Sequence, residues 1–345
     1  MAPVKSLVFK KIPSGIPVAG EHIAVETRHV DIDTTPDGGL VLEILYAALD
    51  PYQRGRMRDP RIPLYCPAIP LGDNFDGHTI AKVFKSGTSA FQVGDVVHAH
   101  ANIAEYARIE DPSVARVAKV HNPYNLPLEM FLVALGLPGC AAWTGMHEFA
   151  KPQAGEVIFI SSAASAVGSL AGQLAKRMGC TVIGSTGSDE KLEWLIKDLG
   201  FDAGFNYKNE SPMEALARLA PNGINIYFDH VGGEQLDAAL YYMVPDGRIV
   251  ACGMIPDYSL HPTERTGVKN LLHIVVNRLT MKGYIVGEPG YPEYRKDHQE
   301  TFQKWLAEGS LKTKLSMTVG MEPAAQTFVD MLVGNIVGKA VLKMK

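Results

Sequence analysis

The run Val157-Ile158-Phe159-Ile160-Ser161-Ser162-Ala163-Ala164-Ser165-Ala166-Val167-Gly168 decides how the chain folds. Its apolar start reads as a strand, Glu156–Ser161. A turn of very small side chains follows, and the pattern from Ala166 to Gly179 is helical, with Gly179 as its stop. Small residues let a backbone approach a pyrophosphate closely. A helix N-terminus adds free N–H groups and a partial positive charge. Ser165, Ala166, Val167 and Gly168 are therefore candidate phosphate contacts. The usual dinucleotide spacing is G-x-G-x-x-G, and Ser165 stands where a glycine would, so the motif alone also fits a plain turn packed on a sheet. The strand–turn–helix setting favours the dinucleotide.

Downstream, strands and helices keep alternating. Thr181–Ser185, Ile224–Asp229 and Arg248–Gly253 read as strands. Ser188–Leu199 reads as a helix, with Ser188 as N-cap, Asp189 and Glu190 in its first turn and Gly200 after it. Such alternation predicts a Rossmann-type α/β unit, a doubly wound parallel sheet covered on both faces. The second strand then selects the cofactor. An NAD site commonly ends this strand in Asp or Glu, which holds the ribose 2′-hydroxyl. Here it ends Gly184-Ser185-Thr186-Gly187, and the first acid, Asp189, is already inside the helix. A 2′-phosphate would meet no repulsion, and Lys191 would supply the countercharge, although the same lysine also reads as an exposed helix residue. The expected cofactor is NADPH.

Upstream, Pro127–Leu137 and Cys140–Ala150 read as two helices broken at Pro138-Gly139. The first third reads as short strands, Val4–Phe9, Leu40–Leu49, His78–Phe84, Asp95–Ala99 and Val114–Val120. Pro- and Gly-rich turns separate them, as in a compact, β-rich, partly open barrel. The tail is too short for a domain and is expected to rejoin that barrel, leaving the α/β unit as an insertion. The expected domains are 1–126 with 312–345, and 127–311.

Composition narrows the function. At roughly 150 residues per domain, a chain of 345 residues suggests about two domains. A formal net charge of −4 without a basic block argues against nucleic acid and anionic membranes as partners. No apolar run is long enough to span a bilayer, since Met130–Ala142 is broken by Gly136, Pro138 and Gly139. Four scattered cysteines without a CxxC pair suggest reduced thiols in the cytoplasm. Catalytic zinc needs three protein ligands, yet Cys66 is followed by Pro67 and no Gly-His-Glu is near. His98 and His100 alternate on one strand face and read as a polar strand edge. No metal is expected, so a phenol or a ribose hydroxyl must stabilise charge on a carbonyl oxygen. No G-x-S-x-G elbow or Walker loop supports a hydrolase or NTPase.

Several segments together resemble one family. They are Ala48-Leu49-Asp50-Pro51-Tyr52-Gln53-Arg54-Gly55-Arg56-Met57, Gly136-Leu137-Pro138-Gly139, Ala166-Val167-Gly168-Ser169, Gly187-Ser188-Asp189-Glu190-Lys191, Phe205-Asn206-Tyr207-Lys208, Tyr227-Phe228-Asp229-His230-Val231-Gly232-Gly233 and Cys252-Gly253-Met254-Ile255. In that order they resemble the zinc-free medium-chain dehydrogenases/reductases that include prostaglandin reductase, curcumin reductase and plant alkenal double-bond reductase. The resemblance implies a GroES-like catalytic domain, a Rossmann domain, an active site between them, NADPH and commonly a homodimer. It further implies that Lys191 and Tyr207 contact the 2′-phosphate. Cys252–Tyr258 and Tyr284, Ile285 and Val286 would line the nicotinamide. Ser165 departs from the family's Gly, His230 from its Asn in the cofactor cleft, Ile336 from its Asn near the C-terminus, and Gln53 from a common Met.

The expected reaction is hydride transfer from NADPH to the C=C bond of an α,β-unsaturated ketone or aldehyde. A secondary alcohol dehydrogenase or quinone reductase on the same scaffold is the alternative, and a non-catalytic NADPH-binding protein is another. Tyr258 is the first candidate proton donor, because its loop follows a sheet strand at the carboxyl end, where α/β clefts form. Tyr52 is the second. Residues between Val286 and Tyr294 are expected to add to the cleft lining.

Overall fold

Strand–helix alternation from residue 157 onward produces a six-stranded, wholly parallel sheet. Its order is Ala203–Asn206, Thr181–Thr186, Val157–Ile160, Ile224–Asp229, Met243–Ala251, Thr280–Gly283. A computed structural model describes residues 1–286 and 292–345. The chain divides into two compact units, Val133–Lys314 and a unit made of Met1–Leu132 with Leu315–Lys345.

In the α/β unit the central strands Thr181–Thr186, Val157–Ile160 and Ile224–Asp229 are buried at all but one residue each, because helices cover them. Phe159, Ile183, Phe205, Tyr227, Ile249, Leu236 and Leu240 form one core cluster. The helix Ala166–Arg177 starts at Ser165, whose Oγ accepts the Gly168 N–H at 3.1 Å. The next helix, Asp189–Lys197, starts at Ser188. The Ser188 start matches the expectation from capping chemistry, and the Ser165 cap is a role the sequence reading did not assign.

Upstream the helix pattern differs from the reading. A 3₁₀ turn covers Leu128–Leu132, and the α-helix runs Leu137–Thr144, straight through Pro138-Gly139. Proline is tolerated there because it occupies the first turn, where its missing N–H would have no partner. A π-helical segment, Gly145–Ala150, continues it. Gly145 is needed there, since a Cβ would lie 2.5 Å from the Phe228 ring and 2.7 Å from the Tyr284 hydroxyl.

The β-rich unit carries a seven-stranded sheet. Leu40–Ala48, Asp76–Ser86, Val96–Asn102 and Lys339–Lys343 lie in it as sequential or C-terminal neighbours. The C-terminal strand pairs antiparallel with Leu40–Ala48, so the tail does rejoin this sheet. The strands do not close into a barrel. Strand Val114–Val120 is reduced to Ala118–Lys119. Ile23–Val30 and Tyr106–Ile109 are strands the sequence pattern did not single out; the first is half-exposed, so its apolar signal is diluted by Glu26, Arg28 and His29. No helix among the described residues is long and apolar enough to cross a membrane.

Candidate active site

The turn before the Ala166 helix is built for close approach. Ser162 takes a left-handed conformation (φ 49°), and Ala163 N–H donates to Ser185 O at 2.8 Å, fixing the turn to the next strand. A Cβ on Gly168 would lie 2.7 Å from Ser162 O, so only glycine fits there. Ser165 caps the Gly168 N–H with its side chain, which is how serine substitutes for glycine. The N–H groups of Ala166 and Val167 have no backbone acceptor among the described residues. These two donors at a helix N-terminus fit a pyrophosphate.

Beyond the second strand, Gly187 lies beneath Tyr207; a Cβ on it would come 2.8 Å from the phenol oxygen. Asp189 is engaged elsewhere, accepting from Asn206 Nδ2 at 2.8 Å and Asn209 Nδ2 at 3.3 Å. Lys191 is half-buried, and burial and then repulsion from Lys208 lower its pKa. Two cations and a phenol thus gather at the strand end with its nearest acid turned onto amides. That donor set fits a dianionic 2′-phosphate. Lys208 was not singled out from the sequence, although it adjoins Tyr207; the register that brings it toward Lys191 comes from the parallel pairing of Ala203–Asn206 with Ile183–Thr186.

At the carboxyl ends of the next strands a polar knot forms. Asp229 Oδ1 accepts from Tyr227 Oη at 2.7 Å, Val231 N at 2.9 Å and Gly232 N at 2.8 Å. Burial raises the pKa of its carboxyl. His230 is only 4% exposed and belongs to this knot. Its Nδ1 lies 2.8 Å from Ser161 O and must carry the proton, which leaves Nε2 as a buried acceptor without a partner among the described residues. Burial pushes its pKa down to about 4, so it is neutral at physiological pH.

Tyr258 is half-buried, in the turn Ile255–Ser259, with its hydroxyl over Gly253, where a Cβ would lie 3.1 Å away. Burial and then the Cys252 thiol raise its pKa, so the phenol stays protonated. Tyr284 is buried and donates to Ala141 O at 2.7 Å, and its hydroxyl also lies 3.3 Å from Cys252 Sγ. Its hydroxyl is therefore spent on protein atoms, and burial pushes the Cys252 thiol up to about 11. Ile285 and Val286 are half-buried. The expected lining from Gly287 to Tyr291 lies outside the described residues.

In the other unit Tyr52 opens the five-residue helix Tyr52–Arg56. Its Oη lies 3.4 Å from His100 Nε2, and burial raises its pKa. His98 and His100 share a strand face, as expected, but neighbours come from other elements. His78 Nδ1 lies 3.2 Å from His98 Nε2, and the His78 and His100 rings meet edge to face at 5.5 Å. Among the described residues no group of three or more His, Cys, Asp or Glu is placed to hold a metal ion.

In sequence and fold the chain is similar to known oxidoreductases. A family described as "N-terminal domain of oxidoreductase" matches residues 5–117, and one described as "Zinc-binding dehydrogenase" matches 166–305. The chain is 48% identical over 342 residues to the NADP-dependent oxidoreductase RED1 of Cochliobolus heterostrophus, covering 99% of this chain and 97% of that one. It is 37% identical to the 2-alkenal reductase (NADP(+)-dependent) of Nicotiana tabacum, covering 98% and 96%. The crystal structure of CurA in complex with NADPH from Vibrio vulnificus superposes with a TM-score of 0.90 at 28% identity, covering 99% of each chain.

Proposed function

The chain belongs to the medium-chain dehydrogenase/reductase family, and from that premise we propose that it is an NADPH-dependent reductase of the activated C=C bond of α,β-unsaturated ketones or aldehydes. The observation that carries the cofactor is the strand end at Gly187, where Lys191, Lys208 and Tyr207 gather and Asp189 is bonded to amides. When bound, NADPH supplies the hydride. Ala166 and Val167 hold the pyrophosphate with their N–H groups, and the two lysines hold the 2′-phosphate. His230 in the cofactor cleft and Tyr284 at the nicotinamide contribute fixed walls, since both are buried and bonded to backbone carbonyls.

Tyr258 keeps its proton at neutral pH and donates a hydrogen bond to the carbonyl oxygen as charge develops there. Tyr52, also protonated, is the competing donor. The 2-alkenal reductase relative supports the conjugated carbonyl substrate. Four free thiols and no spanning helix among the described residues are consistent with a cytoplasmic enzyme.

A homodimer is part of the reading. Strand Thr280–Gly283 pairs on one side only among the described residues, and all four of its residues are exposed. Leu271, Leu272, Val275 and Val276 flank it at 53% exposure or more. A second copy presents the same row of N–H and C=O groups, so two-fold antiparallel pairing would satisfy both edges.

The deciding experiment follows NADPH oxidation with enones, secondary alcohols (with NADP⁺) and quinones, in a chelator. Turnover confined to enones and enals supports the proposal. Turnover of alcohols or quinones alone transfers the function to those classes, and no turnover despite NADPH binding would leave a binding protein.

A further inference from the structure

We propose that His100, with His78 and His98 behind it, is the proton relay of Tyr52, so that Tyr52 protonates the α-carbon while Tyr258 holds the carbonyl oxygen; this rests on the reduction reading above. The three imidazoles gather on one sheet face. His78, in Asp76–Ser86, stands directly opposite His100, in Val96–Asn102, and His98 lies two residues before His100 on the same face. All three are half-buried, whereas the alternate residues Gly77, Thr79, Val97, Ala99 and Ala101 are buried. The place is not the strand edge expected for His98 and His100, because Val96–Asn102 pairs with Asp76–Ser86 on one side and with Ala118–Lys119 on the other. The His78 ring meets His100 edge to face at 5.5 Å, and its Nδ1 lies 3.2 Å from His98 Nε2. At the other end His100 Nε2 lies 3.4 Å from Tyr52 Oη. The row therefore leads from the phenol to His98, whose partner Ala118 lies in an exposed strand.

A phenol in such surroundings is a weak acid unless its phenolate is met at once. Burial raises the Tyr52 pKa, and the Asp50 carboxylate adds to the rise. A neighbouring N–H answers this by giving the phenol a proton as the phenol gives one up. The second imidazole nitrogen can take the replacement, so a histidine relays where an amide would only bond. His100 serves in its neutral form. Burial lowers its pKa below the usual imidazole range; Asp76 and Asp50 act against that shift, and Arg56 and Arg116 act with it. The step balances. After hydride transfer to the β-carbon the substrate is an enolate. The Tyr52 O–H bond breaks as the C–H bond forms at the α-carbon. The His100 Nε2–H bond breaks as the phenol O–H re-forms, and His100 Nδ1 takes its replacement from the row, which draws on water at His98.

The pair itself is tested without any reaction. In nitrogen-15 spectra of the histidine-labelled full chain, the His100 signals are those lost in His100→Gln. Tyr52→Phe should shift the His100 Nε2 signal, and an unmoved signal would overturn the inference. Kinetics use the enone turned over fastest in the panel above. His100→Gln should lower kcat about tenfold to a hundredfold, at or below the low edge of general acid catalysis because it acts through the phenol. KM and the NADPH dissociation constant should change little. Tyr52→Phe combined with His100→Gln should be no slower than Tyr52→Phe alone, because the relay has no other outlet. Losses that multiply would make His100 a structural residue and overturn the relay. Full turnover in either single variant would overturn it too, as would wild-type turnover lost in a chelator and restored by zinc, which would make the imidazoles metal ligands. A wild type that reduces no enone at all would sink the reduction reading, and the role of the row with it, even where the spectra show the bond.

Discussion

Lys191 carries a depressed pKa that has two physical sources, burial and a second lysine. Both disfavour the charged ammonium in the free protein, and a bound phosphate would remove the second by neutralising the pair. Each charge-assisted contact is worth about 1.5–3 kcal/mol, or about 10- to 150-fold. Lys191→Ala and Lys208→Ala should each raise the NADPH dissociation constant within that range and leave NADH nearly unchanged. Equal losses for both cofactors in a fluorescence titration would sink the assignment. Tyr258 is the second residue under test. General acid catalysis contributes typically about 10²–10⁴-fold, and Tyr258→Phe should lower turnover of an enone at least about tenfold, with NADPH affinity little changed. Full activity in Tyr258→Phe, with a loss in Tyr52→Phe, would exchange the two roles. At this scale the structure gives Ser165 a role the sequence reading did not assign: its side-chain oxygen caps the helix start by accepting the Gly168 N–H. The resemblance placed His230 in the cofactor cleft, but its burial and its bond to Ser161 O were not legible, because whether an imidazole faces a cleft or a core depends on which strand lies beside it.

The helix Tyr52–Arg56 is too short to form alone, since nucleation costs more than a single turn returns. Its neighbours hold it. Gln53 accepts the Asp50 N–H at 2.8 Å and donates to Asp76 O at 2.9 Å, and Arg56 pairs with Asp76 through both nitrogens. Just before it, Asp50 is bonded to the Lys339 ammonium, with both side chains under 10% exposed. Breaking a buried pair leaves a charge without a partner. Lys339→Met should therefore cost about 3–5 kcal/mol of stability, seen as a lower urea midpoint, and Asp50→Leu with Lys339→Met should recover most of it. An unchanged midpoint in the single variant would refute the role. A second element, the edge strand Thr280–Gly283, is tested through its flank. Val275 is 75% exposed, so Val275→Glu should not disturb the fold of one chain. It should convert a dimer to a monomer in analytical ultracentrifugation while NADPH binding persists. A wild type that sediments as a monomer would remove this edge as an interface.

For the whole molecule, acid stability should reflect histidines that fold keeps neutral. His230 and His298 are buried, and burial holds each near a pKa of about 4. In the unfolded chain both titrate near about 6.5, so between these values the unfolded state binds more protons. Stability should therefore be flat in their respect above about 6.5, and fall as pH drops toward 4, by up to about 1.4 kcal/mol per pH unit for each. His230→Asn cannot take up a proton and should flatten this dependence in urea titrations; an unchanged slope would show that His230 charges in the fold. The doubly wound parallel sheet, the helix capped by Ser188 and the missing acid at Gly187 could all be read from contiguous residues. Capping, helical and strand periodicity and turn chemistry act between residues a few positions apart, so the chain determined them by itself. The meetings that define the candidate site do not follow from such local rules. Tyr52 meets His100 across 48 positions, and Asp50 meets Lys339 across 289. Pro138 likewise fell inside a helix rather than between two, because it lies in the first turn, where proline is tolerated. Only sheet pairing and the packing of distant segments decide which charges, phenols and imidazoles end within a few ångströms, since Coulombic and hydrogen-bond energies depend on distance in space and not along the chain.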